Sequence, residues 1–210
     1  MSMPPPIIAV FPAPRKRRSG EYRQRQIVET LLEIVEELGV KAVSAQAIAD
    51  RIGLSQPAIF RHFPTKEALW LAVNDWLDER LGEIHQAAGS DPNATPLSRM
   101  RDIFFAHTSM VERHPALAKI VFSDQLRLEF PSLQQRFLTI HAAYHDRISG
   151  LVDQAVDDGL TTASPSAGAT LFLSMIQGLS FQFAIAKRPM KMQDEAKAIY
   201  ALFERAIGAE

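Results

Sequence analysis

Six residues between Ser55 and Phe63 separate into two sets that a short helix would place on opposite faces. Ser55 is a good N-cap residue and Pro57 loses no hydrogen bond in a first helical turn, so a helix is predicted to start here. The core-facing set is Ala58, Ile59 and Phe63, and the outward-facing set is Gln56, Arg61 and His62. Exposed hydrogen-bonding groups on a short helix indicate a binding surface.

A second short helix is predicted directly before this one. Ser44 can cap it, and Ala47, Ile48 and Ile52 recur at the spacing of one buried face. Gly53 ends it, because glycine adopts the left-handed conformation without a Cβ penalty. Two helices joined by a tight glycine-containing turn are typical of a helix-turn-helix, whose second helix enters the DNA major groove. An ordinary helical hairpin is the alternative interpretation.

Further positions on both sides extend this pattern along the chain. They are Arg23, Ile27, Gly39, Ile48, Ala49, Gly53, Ser55, Phe60, Phe63, Lys66 and Leu69. This series resembles the amino-terminal pattern of the TetR family of transcriptional regulators, and a run of spaced matches is more specific than a short motif. The family usually has a tyrosine where this chain has Phe60, so one hydroxyl contact to a phosphate is lost.

The resemblance implies an all-α homodimer. Each chain would have an amino-terminal three-helix helix-turn-helix DNA-binding domain and a carboxy-terminal helical domain for ligand binding and dimerisation. We therefore expect a disordered proline-rich and basic arm at residues 1–20, a DNA-binding head at 21–66 and a regulatory domain at 67–210. A long helix that starts at Lys66 is expected to connect the head to the regulatory domain as a lever.

The resemblance also assigns roles to residues of the head. Gln56 would bond adenine, Arg61 would read guanine, and Pro57 and Ala58 would meet thymine methyl groups. The expected phosphate contacts are Gln46, Ser55, His62, Thr65 and Lys66, and Phe60 would contribute its ring. Independently of the family, Thr65 as N-cap leaves backbone amides at the positive end of a helix, where Lys66 adds charge.

Composition restricts the class of protein. The chain has 210 residues, 47% of them hydrophobic and 22% charged, which is typical of a globular protein. It contains no cysteine, which excludes disulfides and fits a reducing cytoplasm. The net charge is −1, but Arg15, Lys16, Arg17 and Arg18 form a local basic cluster before the first helix. Such a cluster is expected to contact DNA, and a tail that only aids solubility is the alternative.

The regulatory domain is expected to contain an apolar cavity. Candidate lining residues are Phe104, Phe137, Phe172 and Met175, with His107, His141 and Gln182 as polar anchors. A solid core is the alternative, and for His107 a hydrogen-bonded core histidine is the preferred interpretation, because buried polar groups usually find internal partners. His141 and His145 lie one helical turn apart, but no third ligand is indicated, so no metal site is predicted.

One helix, which starts at Pro165, is apolar almost all round. One line of it carries Phe172, Ile176, Leu179 and Phe183, and another carries Leu171, Met175, Gly178, Gln182 and Ile185. Its length approaches that of a membrane span, but its glutamines and the lack of other spans argue against insertion. We expect the first line to face the domain interior and the second to face a second subunit, with the final helix, 194–207, completing a four-helix interface.

These features favour a cytoplasmic DNA-binding regulator of transcription, most simply a repressor released by a small apolar ligand. Its partners would be double-stranded DNA with a palindromic operator, a small-molecule effector and a second copy of the chain. No cofactor is predicted. The chain lacks a nucleophile elbow, a phosphate-binding glycine loop and a thiol, so it is not expected to be an enzyme. A DNA-bound architectural or cell-division factor of the same fold is the alternative.

Overall fold

The structure is a computed structural model that describes residues 20–185 and 191–208, and every regular element in these ranges is helical. In chain order the helices are α1 (Gly20–Leu38), α2 (Ala45–Ile52), α3 (Gln56–His62), α4 (Lys66–Ala88), α5 (Pro96–Arg113), α6 (Ala116–Val121), α7 (Asp124–Glu129), α8 (Pro131–Asp157), α9 (Pro165–Ile185) and α10 (Met192–Ala206). A 3-10 turn, Val40–Ala42, precedes α2. The all-α prediction is confirmed. The basic cluster Arg15, Lys16, Arg17 and Arg18 lies outside the described residues.

Local signals shape the first three helices as the sequence predicts. The hydroxyl of Ser44 accepts a hydrogen bond of 3.0 Å from the backbone N–H of Ala47 and so caps α2. Gly53 ends α2 with φ 65°, a left-handed conformation. Ile48 of α2 and Ile59 of α3 are completely buried with Leu31 of α1 in one core. These contacts hold α2 and α3 against α1 in a three-helix unit.

Helix α4 belongs to both the DNA-binding head and the regulatory domain. Its cap is Thr65, whose hydroxyl accepts a bond of 3.0 Å from the N–H of Ala68. Beyond the cap it packs on α1 and then on α5 and α8. The buried amide of Asn74 donates a bond of 3.1 Å to the carbonyl of Leu133 and so fixes α4 against the start of α8. A single hydrophobic core therefore runs through α4 from the head into the regulatory domain.

The helices α5, α8, α9 and α10 build the regulatory domain around aromatic side chains. The ring of Phe104 lies 5.6 Å from that of Phe172 and 5.0 Å from that of Tyr200, measured between centroids. Gly168 lets α9 approach α8 closely, because a Cβ at this position would be 3.2 Å from the methyl groups of Val152. This tight packing leaves the centre of the aromatic group without space for a ligand.

The two lines of α9 differ in burial as the sequence predicts. Phe172, Ile176 and Leu179 are buried against the domain. Leu171 is 40% exposed and Ile185 is 61% exposed on the other line. By length and composition alone, α9 is the one described helix that could cross a membrane. Since its buried line packs on α8, it also has the character of a core helix with one uncovered apolar side.

Candidate DNA interface and ligand cavity

The outward face of α3 carries the residues predicted to contact DNA bases. Gln56, Pro57 and Arg61 are exposed, and the ring of Phe60 is 40% exposed. His62 is half-buried at the end of the helix. The exposed residues share one surface because Ile59 turns the opposite side of α3 into the core. An amide, a guanidinium and an aromatic edge at this surface can meet base edges in a major groove.

Ala58 requires a correction. The family resemblance implied that it meets a thymine methyl group, whereas the helical spacing placed it on the core side; the structure buries it, together with Ile59, and so agrees with the spacing. A seven-residue helix has room for one outward face, and Ala58 lies on the inward one. Pro57 is exposed and remains the candidate for a thymine contact in this helix.

Several predicted phosphate contacts already have partners within the chain. The amide of Gln46 donates a bond of 2.6 Å to the carboxylate of Asp50, and the hydroxyl of Thr65 is used in capping α4. Ser55 occupies the N-cap position of α3, but its hydroxyl makes no capping bond there. These bonds do not prevent contact with a phosphate, because the Thr65 hydroxyl only accepts in the cap and keeps its O–H donor, and the Gln46 amide has a second N–H donor.

Lys66 points toward the regulatory domain. Its ammonium forms a salt bridge of 3.1 Å with the carboxylate of Glu129 at the end of α7 and lies 5.8 Å from the centre of the Phe130 ring. The two charged residues are 63 positions apart in the chain, so no local pattern indicates the pair. A phosphate at Lys66 would have to compete with the Glu129 carboxylate.

A second bond joins the head to the regulatory domain. Lys119 of α6 donates a bond of 2.9 Å from its ammonium to the backbone carbonyl of Glu36 near the end of α1. At α4, Arg136 of α8 forms salt bridges of 2.9 and 3.0 Å with Asp75 and Asp78. Exposed ion pairs add little stability, about 0–1 kcal/mol each, but they fix the positions of the helices that they join.

An apolar cavity of about 80 Å³ lies inside the regulatory domain. We call it the inner cavity. Five helices contribute to its wall, which consists of Leu77, Leu81, His107, Met110, Val111, Leu117, Ala118, Val121, Phe122, Phe137, Ile140, His141, Tyr144, Leu173, Ile176, Gln177 and Ser180. The wall contains no Asp, Glu, Lys or Arg, so any hydrogen bonds to a ligand come from neutral groups or histidines.

Burial keeps the two wall histidines neutral. Desolvation, with a smaller contribution from nearby His85, lowers the pKa of His107 to about 4. Desolvation and then the charge of His145 lower the pKa of His141. Both imidazoles are therefore uncharged at neutral pH and present one donor and one acceptor nitrogen each.

His107 has an internal partner. Its Nδ1 lies 3.0 Å from the hydroxyl of Tyr144 in a hydrogen bond, and burial raises the pKa of the Tyr144 phenol. The ring of His85 meets the Tyr144 ring edge-on with 5.1 Å between centroids. His107 is thus a hydrogen-bonded core histidine, as the preferred interpretation has it, and its ring also forms part of the cavity wall.

Four predicted pocket residues lie outside the wall of the inner cavity. Phe104 and Phe172 are completely buried within the aromatic group, and Met175 and Gln182 lie on the uncovered line of α9. Of the seven, His107, Phe137 and His141 do line the cavity. On α9 the polar wall residues are instead Gln177 and Ser180. Helical spacing identifies an apolar stripe, but it does not show which part of the stripe borders an empty space.

The two neighbouring histidines of α8 do not act together. His145 bonds through Nε2 to the hydroxyl of Thr170 at 3.2 Å, whereas His141 borders the cavity. Among residues 20–185 and 191–208, no group of three or more His, Cys, Asp or Glu side chains could hold a metal ion.

The fold and these two sites define a helix-turn-helix DNA-binding protein with a helical second domain. The sequence model of the bacterial regulatory proteins of the tetR family matches residues 27–73, which covers most of α1, all of α2 and α3, and the start of α4. The DNA-binding head of the chain is therefore of the tetR-family type.

Solved structures and curated proteins show how far this similarity extends. A TetR/AcrR-family regulator from Thermobifida fusca is 21% identical, with 87% of this chain and 96% of that chain covered and a TM-score of 0.66. FadR from Bacillus subtilis, solved with stearoyl-CoA, is 18% identical over 85% and 96% of the two chains, with a TM-score of 0.70. At these identities the structures establish the shared fold.

A curated relative gives a different comparison. The nucleoid occlusion factor SlmA of Haemophilus ducreyi is 25% identical over 121 residues, which is 57% of this chain. The alignment spans 59% of the length of that relative. The chain thus spans less than two thirds of the length of this relative, and the similarity does not transfer the activity of the whole relative.

We predict that Gln56→Ala relaxes the preference at one base position in each half-site and weakens specific binding by about 1–3 kcal/mol, because the exposed amide of α3 reads a base edge. Selection of bound sequences from randomised duplex DNA measures this. Gln86→Ala, the same change at an exposed position near the far end of α4, serves as control and should leave the selected sequences unchanged. Unaltered preferences in Gln56→Ala would mean that another surface reads the bases.

We also predict that Glu129→Gln strengthens binding to all DNA sequences alike, by a few-fold, since Lys66 no longer has a competing carboxylate. The slope of log K against log salt should become steeper by about 0.9, the value for one added phosphate contact. Fluorescence anisotropy over a salt series provides the measurement. Asp124→Asn on the same helix is the control, because Asp124 pairs with Arg127 and not with Lys66. An equal gain in a Lys66→Ala background would show that Lys66 is not the residue released.

Proposed function

We propose that this chain is a cytoplasmic, homodimeric repressor that binds a palindromic operator and leaves it when a small, largely apolar ligand occupies the inner cavity. No catalytic role is included, in keeping with the regulators of its family. The observation that carries the proposal is the position of α4, which starts in the DNA-binding head and forms part of the cavity wall. The following paragraphs give the support for each part.

The DNA-binding part rests on the exposed face of α3 and on local charge. Between Ser44 and Lys66 the basic side chains are Arg51, Arg61 and Lys66, against the single acid Asp50. This excess of base is confined to the segment from Ser44 to Lys66, because residues 21–66 as a whole carry six acidic and six basic residues. Within the segment, Arg51 is paired with Glu37 and Lys66 with Glu129. Contacts to phosphates would hold the head on the duplex, and the amide and guanidinium of α3 would supply the sequence preference.

The proposal that the chain forms a dimer rests on the uncovered apolar side of α9 and α10. Leu171 and Ile185 of α9 are exposed, and Leu202 of α10 is 57% exposed. Two chains that pair these helices about a two-fold axis would cover each other's apolar side chains in a four-helix interface. The same axis would present two heads to inverted half-sites, which is why a palindrome is expected.

The ligand part rests on the chemistry of the inner cavity. Its wall is apolar except for His107, His141, Tyr144, Gln177 and Ser180. A ligand with an apolar body and one or two uncharged hydrogen-bonding groups fits this wall, because no ionised side chain is available in it. The fold neighbour FadR of Bacillus subtilis was solved with stearoyl-CoA, and this agrees with an apolar ligand for a domain of this shape.

Release would act through α4. Lys66 and Leu77 are separated by about 16 Å along the helix axis, at 1.5 Å per residue. A ligand that displaces Leu77 and Leu81 would tilt α4 and move the attached head. Since duplex geometry fixes the spacing of the half-sites, a small change in the separation of the heads weakens binding of both. The ligand can do this only through its greater affinity for the displaced state.

A DNA-bound factor without an inducer is the second candidate. Its support is the similarity to the nucleoid occlusion factor SlmA of Haemophilus ducreyi, which covers 57% of this chain. Such a protein would bind many chromosomal sites and would not lose DNA when an apolar compound enters the inner cavity. The response of DNA binding to a bound ligand therefore separates the two candidates.

We predict reciprocal coupling between ligand and operator. A neutral apolar compound selected by its binding to the purified dimer should weaken operator binding by roughly 5–150-fold, and saturating operator should weaken its binding by the same factor. Calorimetric titration in both orders gives the two factors. Ala118→Leu, which fills the inner cavity, should abolish both effects, whereas Ala143→Leu at an exposed position of α8 should leave them intact. Binding of the compound with no change in operator affinity would favour the second candidate.

The dimer interface gives a separate prediction. Leu171→Glu combined with Leu202→Glu should convert the protein to a monomer, because buried carboxylates in an apolar interface are not solvated. Sedimentation velocity at micromolar concentration measures this. Leu128→Glu is the matched control, since Leu128 is 84% exposed but lies on α7, away from α9 and α10. A double variant that stays dimeric would place the interface elsewhere.

A further inference from the structure

A second cavity, of about 200 Å³, adjoins the inner one. We call it the outer cavity. Its wall consists of Asn74, Ile120, Val121, Phe122, Leu126, Arg127, Leu133, Gln134, Phe137, Leu138 and Gln177. Four of these residues, Val121, Phe122, Phe137 and Gln177, also belong to the wall of the inner cavity. The two spaces therefore adjoin at these shared side chains.

The four shared side chains can change rotamer more easily than side chains that are completely buried in a core. All four are half-buried rather than completely buried. The ring of Phe122 meets the exposed ring of Phe181 edge-on at 5.4 Å, and the ring of Phe137 lies 6.2 Å from that of His141. Rotation of Phe137 about its side-chain bonds would join the cavities without any change in the backbone of α8.

The two cavities differ in charge. The inner wall has no ionised side chain at neutral pH, because its histidines are neutral. The outer wall has one ionised residue, Arg127, together with the amides of Asn74, Gln134 and Gln177. An elongated ligand that fills both spaces would therefore meet apolar surface at one end and a single guanidinium with amide groups at the other.

Arg127 is available to a ligand although it has a partner. It forms a salt bridge with Asp124, one turn earlier on α7, and the side chain of Asp124 is 85% exposed. Such an exposed pair within one helix contributes little free energy, so a second carboxylate can share or replace it. A guanidinium binds a carboxylate through two parallel N–H···O bonds. With no second cation in the wall, the site suits a singly charged anion rather than a phosphate dianion.

We propose that the two cavities form one site for a straight-chain carboxylic acid, whose apolar chain occupies the inner cavity and whose carboxylate binds Arg127 in the outer one. The inference rests on the proposed function in one respect, that the inner cavity takes an apolar ligand. Arg127 shares the six-residue helix α7 with Glu129, which pairs with Lys66 of the head. Binding at Arg127 thus also acts on a helix that contacts the DNA-binding domain.

Octanoic acid and octan-1-ol test the carboxylate part, because they share a chain and differ in charge. Calorimetry at neutral pH with the full-length protein should show the acid binding on the order of tenfold more tightly than the alcohol. Arg127→Gln should remove this preference and leave the affinity for the alcohol unchanged. Arg113→Gln, at an exposed arginine of α5, is the matched control and should keep the preference.

A series of acids from hexanoic to dodecanoic acid tests whether the apolar chain of the ligand occupies the inner cavity. Affinity should rise with each added methylene until the inner cavity is full, and Ala118→Leu should end the rise at a shorter acid. Equal binding of acid and alcohol to the unsubstituted protein, or a preference that survives in Arg127→Gln, overturns the inference. If the alcohol still binds and still releases operator in that case, the proposed function stands; if neither compound nor any neutral apolar compound binds, both fail.

Discussion

The continuity of helix α4 is the constraint on which the rest of the structure depends. Its cap at Thr65 lies in the DNA-binding head, and its buried residues Leu77 and Leu81 lie in the wall of the inner cavity. A regular helix curves only gently, because a sharp kink requires an interruption of its backbone hydrogen-bond ladder, so a tilt at one end carries the other end with it. The bond from Lys119 to Glu36 and the salt bridge of Lys66 with Glu129 add two more connections between the same parts. In the proposed mechanism, a displacement of α4 at the cavity would be passed to the head through these connections.

Burial determines what the regulatory domain can recognise. Desolvation holds His107 and His141 in the neutral form, and the hydroxyl of Tyr144 satisfies one nitrogen of His107. The inner cavity therefore offers hydrogen bonds without an ionised side chain in its wall, whereas the wall of the adjoining space includes Arg127. Because one space is uncharged and the adjoining one contains a guanidinium, the pair favours ligands that have one apolar end and one polar end.

The surface of the protein is likewise divided into a polar and an apolar region. The exposed face of α3 combines polar and basic groups, whereas the uncovered side of α9 is apolar. An apolar helix face of this length is costly to leave in water, and pairing with a second copy would remove it from solvent. A two-fold axis at that face is consistent with two heads reading a symmetrical DNA site.

The sequence by itself indicated the helix-turn-helix, because Ser44, Gly53 and Thr65 act on backbone groups within a few residues of themselves. It did not indicate the short helix α7, and the predicted cap Ser55 makes no side-chain capping bond. It also separated the two lines of α9 by their spacing. Only the tertiary structure decided that Phe104 and Phe172 are buried in the aromatic group while Gln177 and Ser180 face a cavity, since periodicity gives a direction about one helix axis and not the neighbour found there. The pairing of Lys66 with Glu129 is likewise tertiary, because the two residues meet only when α7 folds back onto the start of α4.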